Sequence, residues 1–221
     1  MDYVVPRPIA RYIRTNLDLV FDRTLVLPPE IDDLNEDSYQ WMTVGRHPEL
    51  EAEFHNGYHK TAAVYDKDTD KFTPEYVRRI FESAWQEFLT IDPDAKIVQI
   101  VRGLIGMSNT RGNMQDAWVH RDSFNLNRWS FLVHVKGTSG TTDFMDSTAD
   151  PTVIKTIDFV PGQVTMFPSI YDHQGHLPTD TNDRYIMNFI MELDTKLNKQ
   201  VFDTSPVMVK KAISSATDNT Y

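Results

Sequence analysis

His120 and Asp122 stand two residues apart in the stretch AWVHRDSFNLNRW. On a strand or strand end, residues two apart point to the same side, so an imidazole and a carboxylate enter one small volume. Such a pair can bind a metal, act as an acid–base couple, or form a surface hydrogen bond. The chain contains no cysteine, which excludes disulfides, thiolate zinc sites and cysteine nucleophiles. Any metal must therefore be held by His and carboxylate. Downstream, FVPGQVTMFPSIYDHQGHLPTDTNDRYIMNF adds further candidates. Pro161-Gly162 makes a tight turn into a short strand ending at Phe167, His173 follows, and Arg184 opens a strong strand. Two imidazoles and one carboxylate are a donor set that suits a divalent transition metal with open positions.

The other histidines carry weaker signals. His55 and His59, with His47 upstream, have a His-x3-His spacing, but Asn56-Gly57 between them is a turn signal. No Glu follows in the zincin manner. His134 lies inside an apolar strand, the usual setting of a core histidine. His176 competes with His173 for the third position.

The elements that must position these residues change character along the chain. The first 95 residues mix short apolar pieces with Pro, Asp and Asn and read as helical or irregular support. The clearest helix is TPEYVRRIFESAWQEFLTI, with Thr73 as N-cap and Pro74 at the first helical position. Val77, Ile80, Phe81, Ala84, Trp85, Phe88 and Leu89 recur at three- and four-residue steps and predict one core-facing stripe. From residue 97 onward about eight short β-rich runs alternate with turn signals, the pattern of a sandwich, jelly roll or barrel. In the last run Tyr185, Met187, Phe189, Met191 and Leu193 alternate with Arg184, Ile186, Asn188 and Ile190. Arg184 thus shares a face with two Ile and an Asn, a setting in which a guanidinium wants an anionic partner. The expected layout is mainly β with N-terminal helices, as a single domain over 1–221. Its parts are a support over 1–95, a β core over 97–194 and a weakly ordered tail over 203–221.

The order His-x-Asp, β-rich interval, Pro-Gly turn, Phe, His, then Arg opening a strand resembles the Fe(II)/2-oxoglutarate-dependent dioxygenase superfamily. The resemblance covers residues 97–194. Prolyl-hydroxylase-like members are the nearest: NRWSFLVHVKG is similar to their strand after His-x-Asp, and SGTTDF to their Gly-Gly-x-Thr-x-Phe segment. The resemblance implies a double-stranded β-helix (jelly roll) core and His120, Asp122 and His173 as iron ligands, with His173 preferred over His176 on spacing. It implies Arg184 as the clamp on the distal carboxylate of 2-oxoglutarate. His134 falls where a Tyr often shares that carboxylate, and Ile186 stands where many relatives carry a Ser two residues after the Arg. Fe(II), 2-oxoglutarate as cosubstrate and O2 are the implied cofactors. The implied reaction hydroxylates an unactivated C–H of an amino-acid or peptidyl substrate, with succinate and CO2 as co-products. The irregular region 40–65 and the loop 108–117, with Arg111, are the candidate substrate contacts.

Two other classes stay open at this level. A cupin-type metal enzyme uses the same jelly roll, although its His-x-His pair is replaced here by His-x-Asp. A non-catalytic ligand-binding jelly roll would make the joint spacing coincidental. Composition narrows the partners: 22 Lys and Arg against 32 Asp and Glu give a net charge of −10, which argues against a sequence-independent nucleic-acid binder. No run approaches the ~18 apolar residues of a membrane span. The N-terminal residues show no apolar segment of a secretory signal, so a cytoplasmic setting is expected.

Overall fold

The computed structural model describes residues 13–43, 60–110, 116–146 and 151–203. His47, His55, His59, Arg111 and the tail from 204 lie outside the described residues. Twelve strands and two α-helices appear within them. Residues before 96 supply β1 (Phe21–Thr24), β2 (Met42–Thr43), β3 (Lys60–Ala63), β4 (Tyr65–Asp66), β5 (Lys71–Phe72) and helix α1 (Glu75–Ile91). Then follow β6 (Lys96–Ser108), β7 (Arg128–Lys136), β8 (Thr141–Met145), β9 (Val153–Asp158), β10 (Gln163–Pro168), β11 (His173–His176), β12 (Arg184–Asp194) and α2 (Asn198–Asp203).

A seven-stranded sheet has the order β1-β10-β7-β12-β6-β3-β2, and a three-stranded sheet the order β11-β8-β9. All pairings are antiparallel. Two expectations change here. The N-terminal portion does more than buttress, because β1 and β3 extend the large sheet on both sides. Its described helical content is α1 and three 3-10 turns rather than several helices. The stretch AWVH, expected as a strand or strand end carrying His120, forms no strand; only His120 pairs, in a single bridge with His173.

Helix α1 begins at Glu75, with Pro74 in the capping position and no side-chain cap. Thr73 stands one residue before the capping position and does not cap the helix; its backbone N–H donates to the Val64 carbonyl at 3.0 Å. The expected stripe is otherwise present: Val77, Ile80, Phe81, Ala84 and Phe88 are buried. Phe88 meets Trp129 edge-on at 5.1 Å, and Phe81 meets Phe189 at 5.3 Å. Each such large side chain contributes about 1.5–3 kcal/mol by burial. The stripe lies on the face of the large sheet formed by Trp129, Phe131, Phe189 and their period-2 partners Met187, Met191 and Val133, all fully buried. The alternate residues of the same strands must face the other way. They point toward the small sheet, and the functional site lies between the two.

Candidate active site

The opposite face of the large sheet carries Arg102, Leu104, Gly106 and Ser108 on β6. In register on β12 stand Ile190, Asn188, Ile186 and Arg184. β7 adds Ser130, Leu132 and His134 through its pairing with β12. A cavity of about 330 Å³ lies between this face and the small sheet, which contributes Thr142, His173 and Gly175.

His120, Asp122 and His173 converge on this cavity, with one donor atom of each within 4.8 Å of the others. The segment around His120 runs antiparallel to the approach to β11. Ala117 N–H donates to the Gly175 carbonyl, His120 and His173 exchange both backbone hydrogen bonds at 3.0 Å, and Ser123 N–H donates to Ser169. Exchange of both bonds sets the two histidines side by side, with ring centroids 4.3 Å apart. Between these rungs, Arg121 makes a bidentate ion pair with Asp172, Nε to Oδ1 at 2.8 Å and Nη2 to Oδ2 at 2.5 Å. The residue between two members of the cluster is thereby tied to the residue before the third.

Both imidazoles have the same local support. His120 Nδ1 lies 2.7 Å from the Trp118 carbonyl, and His173 Nδ1 lies 3.1 Å from the Tyr171 carbonyl. A carbonyl only accepts, so each Nδ1 carries the proton and each Nε2 presents a lone pair. Burial drives the His173 imidazole down to about 4, with the neighbouring His120 adding to the shift. His173 is therefore neutral at neutral pH. Phe167 packs edge-on against its ring at 5.0 Å.

Asp122 Oδ2 accepts from Ser130 Oγ at 2.7 Å and from Asn188 Nδ2 at 3.2 Å, while Oδ1 accepts from Arg102 Nη2 at 3.1 Å. Burial alone would raise this carboxyl. Its interactions with His173 and His120, the Arg102 charge and the Ser130 hydroxyl outweigh burial and hold it below the usual carboxylate range. An ionised carboxylate and two imidazoles that each turn Nε2 away from a carbonyl-bound Nδ1 suit a divalent transition metal with several positions left open.

Arg184, 4 % exposed, lies at the far end of the same strands. Its Nε donates to Ser108 Oγ at 3.2 Å, and its buried Nη1 has no hydrogen-bond partner among the described residues. Burial lowers the guanidinium to about 10, against the opposing pull of Asp116, so it remains charged. The backbone makes room for it at Gly140, where a Cβ would come within 2.3 Å of Arg184 Nη1 and where φ is +108°. An orphaned buried cation facing a cavity is the natural seat of a carboxylate.

His134 stacks on Phe159 at 4.7 Å, and the Arg184 guanidinium lies 5.9 Å from the same ring. His134 does not line the cavity. Its Nδ1 accepts from Val160 N–H at 3.2 Å, so Nε2 carries the proton, and that buried Nε2 has no partner among the described residues. Burial, with Arg184 nearby, lowers its pKa to about 4. His176 is placed differently from His173. Its Nδ1 meets Asp116 at 2.8 Å and its Nε2 meets Asp143 at 2.9 Å, so both nitrogens are engaged.

The sequence reading missed Ser130, Arg102 and the Arg121–Asp172 pair. Only Asn188 carried a usable signal, through its place on the Arg184 face of the last strand.

No protein-family model matches this sequence, and no curated protein is significantly similar to it. Solved structures do resemble it. The non-heme alpha ketoglutarate dependent epimerase SnoN from nogalamycin biosynthesis superposes with a TM-score of 0.57 at 12 % identity, over 91 % of this chain and 87 % of that one. HygX from Streptomyces hygroscopicus, solved with nickel and 2-oxoglutarate bound, gives 0.52 at 9 %, over 80 % and 83 %. A Pseudomonas putida prolyl-4-hydroxylase gives 0.50 at 12 %, over 87 % and 90 %. The chain shares their fold. Among the described residues no helix is long and apolar enough to cross a membrane.

Proposed function

We propose that the protein is an Fe(II)- and 2-oxoglutarate-dependent oxygenase on a jelly-roll core. His120, Asp122 and His173 hold the iron, and Arg184 holds the distal carboxylate of 2-oxoglutarate. One observation carries this reading: a His–Asp–His cluster and a buried guanidinium with a free Nη1 line one cavity. When bound, iron and 2-oxoglutarate supply the activation of O2 coupled to loss of CO2, leaving succinate and an oxygenated substrate.

The chain's own residues bind and orient. His120 and His173 offer Nε2 because each Nδ1 proton is committed to a carbonyl two residues upstream. Asp122 supplies a negative charge that favours a divalent ion, and Ser130 and Asn188 fix its rotamer. Leu132 and Ile186 line the cavity floor in register with Asn188 and His134 and exclude water beside the cosubstrate's methylenes. His134, held neutral and outside the cavity lining, leaves Arg184 as the single positive charge at that end. Hydroxylation of an amino-acid or peptidyl C–H is the reaction proposed.

With Fe(II) and O2, the protein is expected to convert 2-oxoglutarate to succinate without added substrate. The conversion is expected to vanish in His120→Ala and Asp122→Ala with the fold retained. Full activity in either variant would remove that residue from the metal site.

A further inference from the structure

Three arginines line the cavity, and their partners divide them into three kinds. Arg121 is fully neutralised by Asp172, with side-chain exposures of 4 % and 0 %. Arg184 is buried with an open Nη1 and is taken by the cosubstrate in the reading above. Arg102 differs from both: its side chain is 42 % exposed. One nitrogen, Nη2, donates to Asp122 Oδ1, and no other polar partner of its guanidinium occurs among the described residues.

The placement of Arg102 is as informative as its pairing. Arg184 pairs with Ser108 at one end of the β6–β12 ladder, and Ile190 pairs with Arg102 at the other. The six steps from 102 to 108 span roughly 20 Å at about 3.3 Å each. Asn188, which touches Asp122, sits between the two ends opposite Leu104. The metal cluster therefore has an arginine on either side. A cosubstrate lying between the metal and Arg184 leaves the Arg102 side, with Thr61 and Leu104, for the substrate.

Charge points the same way. A divalent ion and a dianionic 2-oxoglutarate cancel, and Asp122 offsets one of the two uncompensated arginines. One positive charge is left on the cavity wall of a chain whose net charge is −10. A guanidinium with one nitrogen committed to Asp122 and the others open at the cavity wall is satisfied best by an oxyanion.

We propose that Arg102 anchors a carboxylate of the substrate, so that the site selects a small carboxylic acid whose oxidised carbon lies close to that group. This rests on the assignment of Arg184 to 2-oxoglutarate. It favours a free amino acid or similar acid over an internal peptide residue, which has no backbone carboxylate to offer.

The test uses the full chain loaded with Ni(II) and saturated with 2-oxoglutarate. Matched acids and primary amides (L-leucine and L-leucinamide, L-proline and L-prolinamide, hexanoate and hexanamide) are titrated calorimetrically. At least one acid is expected to bind about tenfold or more tightly than its amide, the effect of one charge-assisted hydrogen bond. Arg102→Gln is expected to abolish that preference. Because Arg102 also donates to Asp122, Ni(II) is kept saturating in both proteins and the acid-to-amide affinity ratio is the readout. Equal binding of acids and amides, binding of neither, or a preference that survives Arg102→Gln would overturn the proposal. The preceding 2-oxoglutarate titration separates the two readings. No 2-oxoglutarate binding overturns both, whereas 2-oxoglutarate binding without acid preference overturns the Arg102 assignment alone.

Discussion

Arg121 and Asp172 form a bidentate ion pair with side chains 4 % and 0 % exposed, and each is the chain neighbour of a residue of the His–Asp–His cluster. A buried ion pair is weak evidence of stability, since desolvation offsets most of the attraction. Its clearest effect here is geometric, fixing the His120–Asp122 segment against His173. Arg121→Met alone strands the Asp172 charge and is expected to cost about 3–5 kcal/mol. Arg121→Met with Asp172→Leu is expected to recover most of that stability in urea denaturation. The double variant should still bind Co(II) about tenfold more weakly than wild type, as for lost support of a metal ligand. Wild-type metal affinity in a stable double variant would show that the pair does not position the cluster.

Asp122 is oriented by Ser130 at 2.7 Å and Asn188 at 3.2 Å. Ser130→Ala and Asn188→Leu remove those donors from a carboxylate whose side chain is only 3 % exposed. Each is expected to weaken Mn(II) binding about tenfold, within the 10–100-fold range for such partners. The measurement is a metal titration followed by the paramagnetic resonance of free Mn(II). Affinities within twofold of wild type would contradict the role.

Gly140→Ala tests the space kept for Arg184. A Cβ there meets Nη1 at 2.3 Å, at a φ of +108° that a side chain rarely adopts. The variant is expected to raise the 2-oxoglutarate concentration for half-maximal succinate formation by about tenfold, the scale of a displaced charged hydrogen bond. Its metal affinity should be unchanged. An unaltered 2-oxoglutarate requirement would show that Arg184 does not bind the cosubstrate from this position.

His134 links pH to stability. Burial lowers its pKa to about 4 in the fold, against about 6.5 in an unfolded chain. Between those values the unfolded chain binds more protons, so stability falls as pH drops from 6.5 toward 4. The neutral imidazole carries no such penalty above that window. The contribution is at most on the order of 3 kcal/mol. His134→Gln is expected to lose less stability than wild type between pH 7 and 4.5 in urea denaturation. Equal losses would contradict a buried neutral His134.

Much of this site was legible in the sequence because its strongest signals are local. Spacing by two placed His120 and Asp122 together, and alternation in the last strand put Arg184 and Asn188 on one face and Met187, Phe189 and Met191 on the other. The stripe in α1 followed from helical period alone. What escaped depends on register between distant segments. Ser130 reads as one polar residue in an apolar strand until the pairing of β7 with β12 sets it beside Asp122. Arg121 and Asp172 are ordinary charges until the His120–His173 bridge brings their segments together. AWVH has strand composition, yet only His120 pairs, and Trp118 is left 63 % exposed. The short strands β1 and β3 carry little period-2 signal over four residues each, so their entry into the large sheet could not be read locally.

The central claim is that one cavity holds metal and 2-oxoglutarate together, and its most direct test is calorimetric titration of 2-oxoglutarate into metal-free and Ni(II)-loaded protein. One 2-oxoglutarate per chain is expected with Ni(II). Binding should be at least about tenfold weaker without the metal or in Arg184→Ala, and absent in His173→Ala loaded under the same conditions. Binding that ignores both the metal and Arg184, or no binding to the Ni(II)-loaded protein, would contradict it.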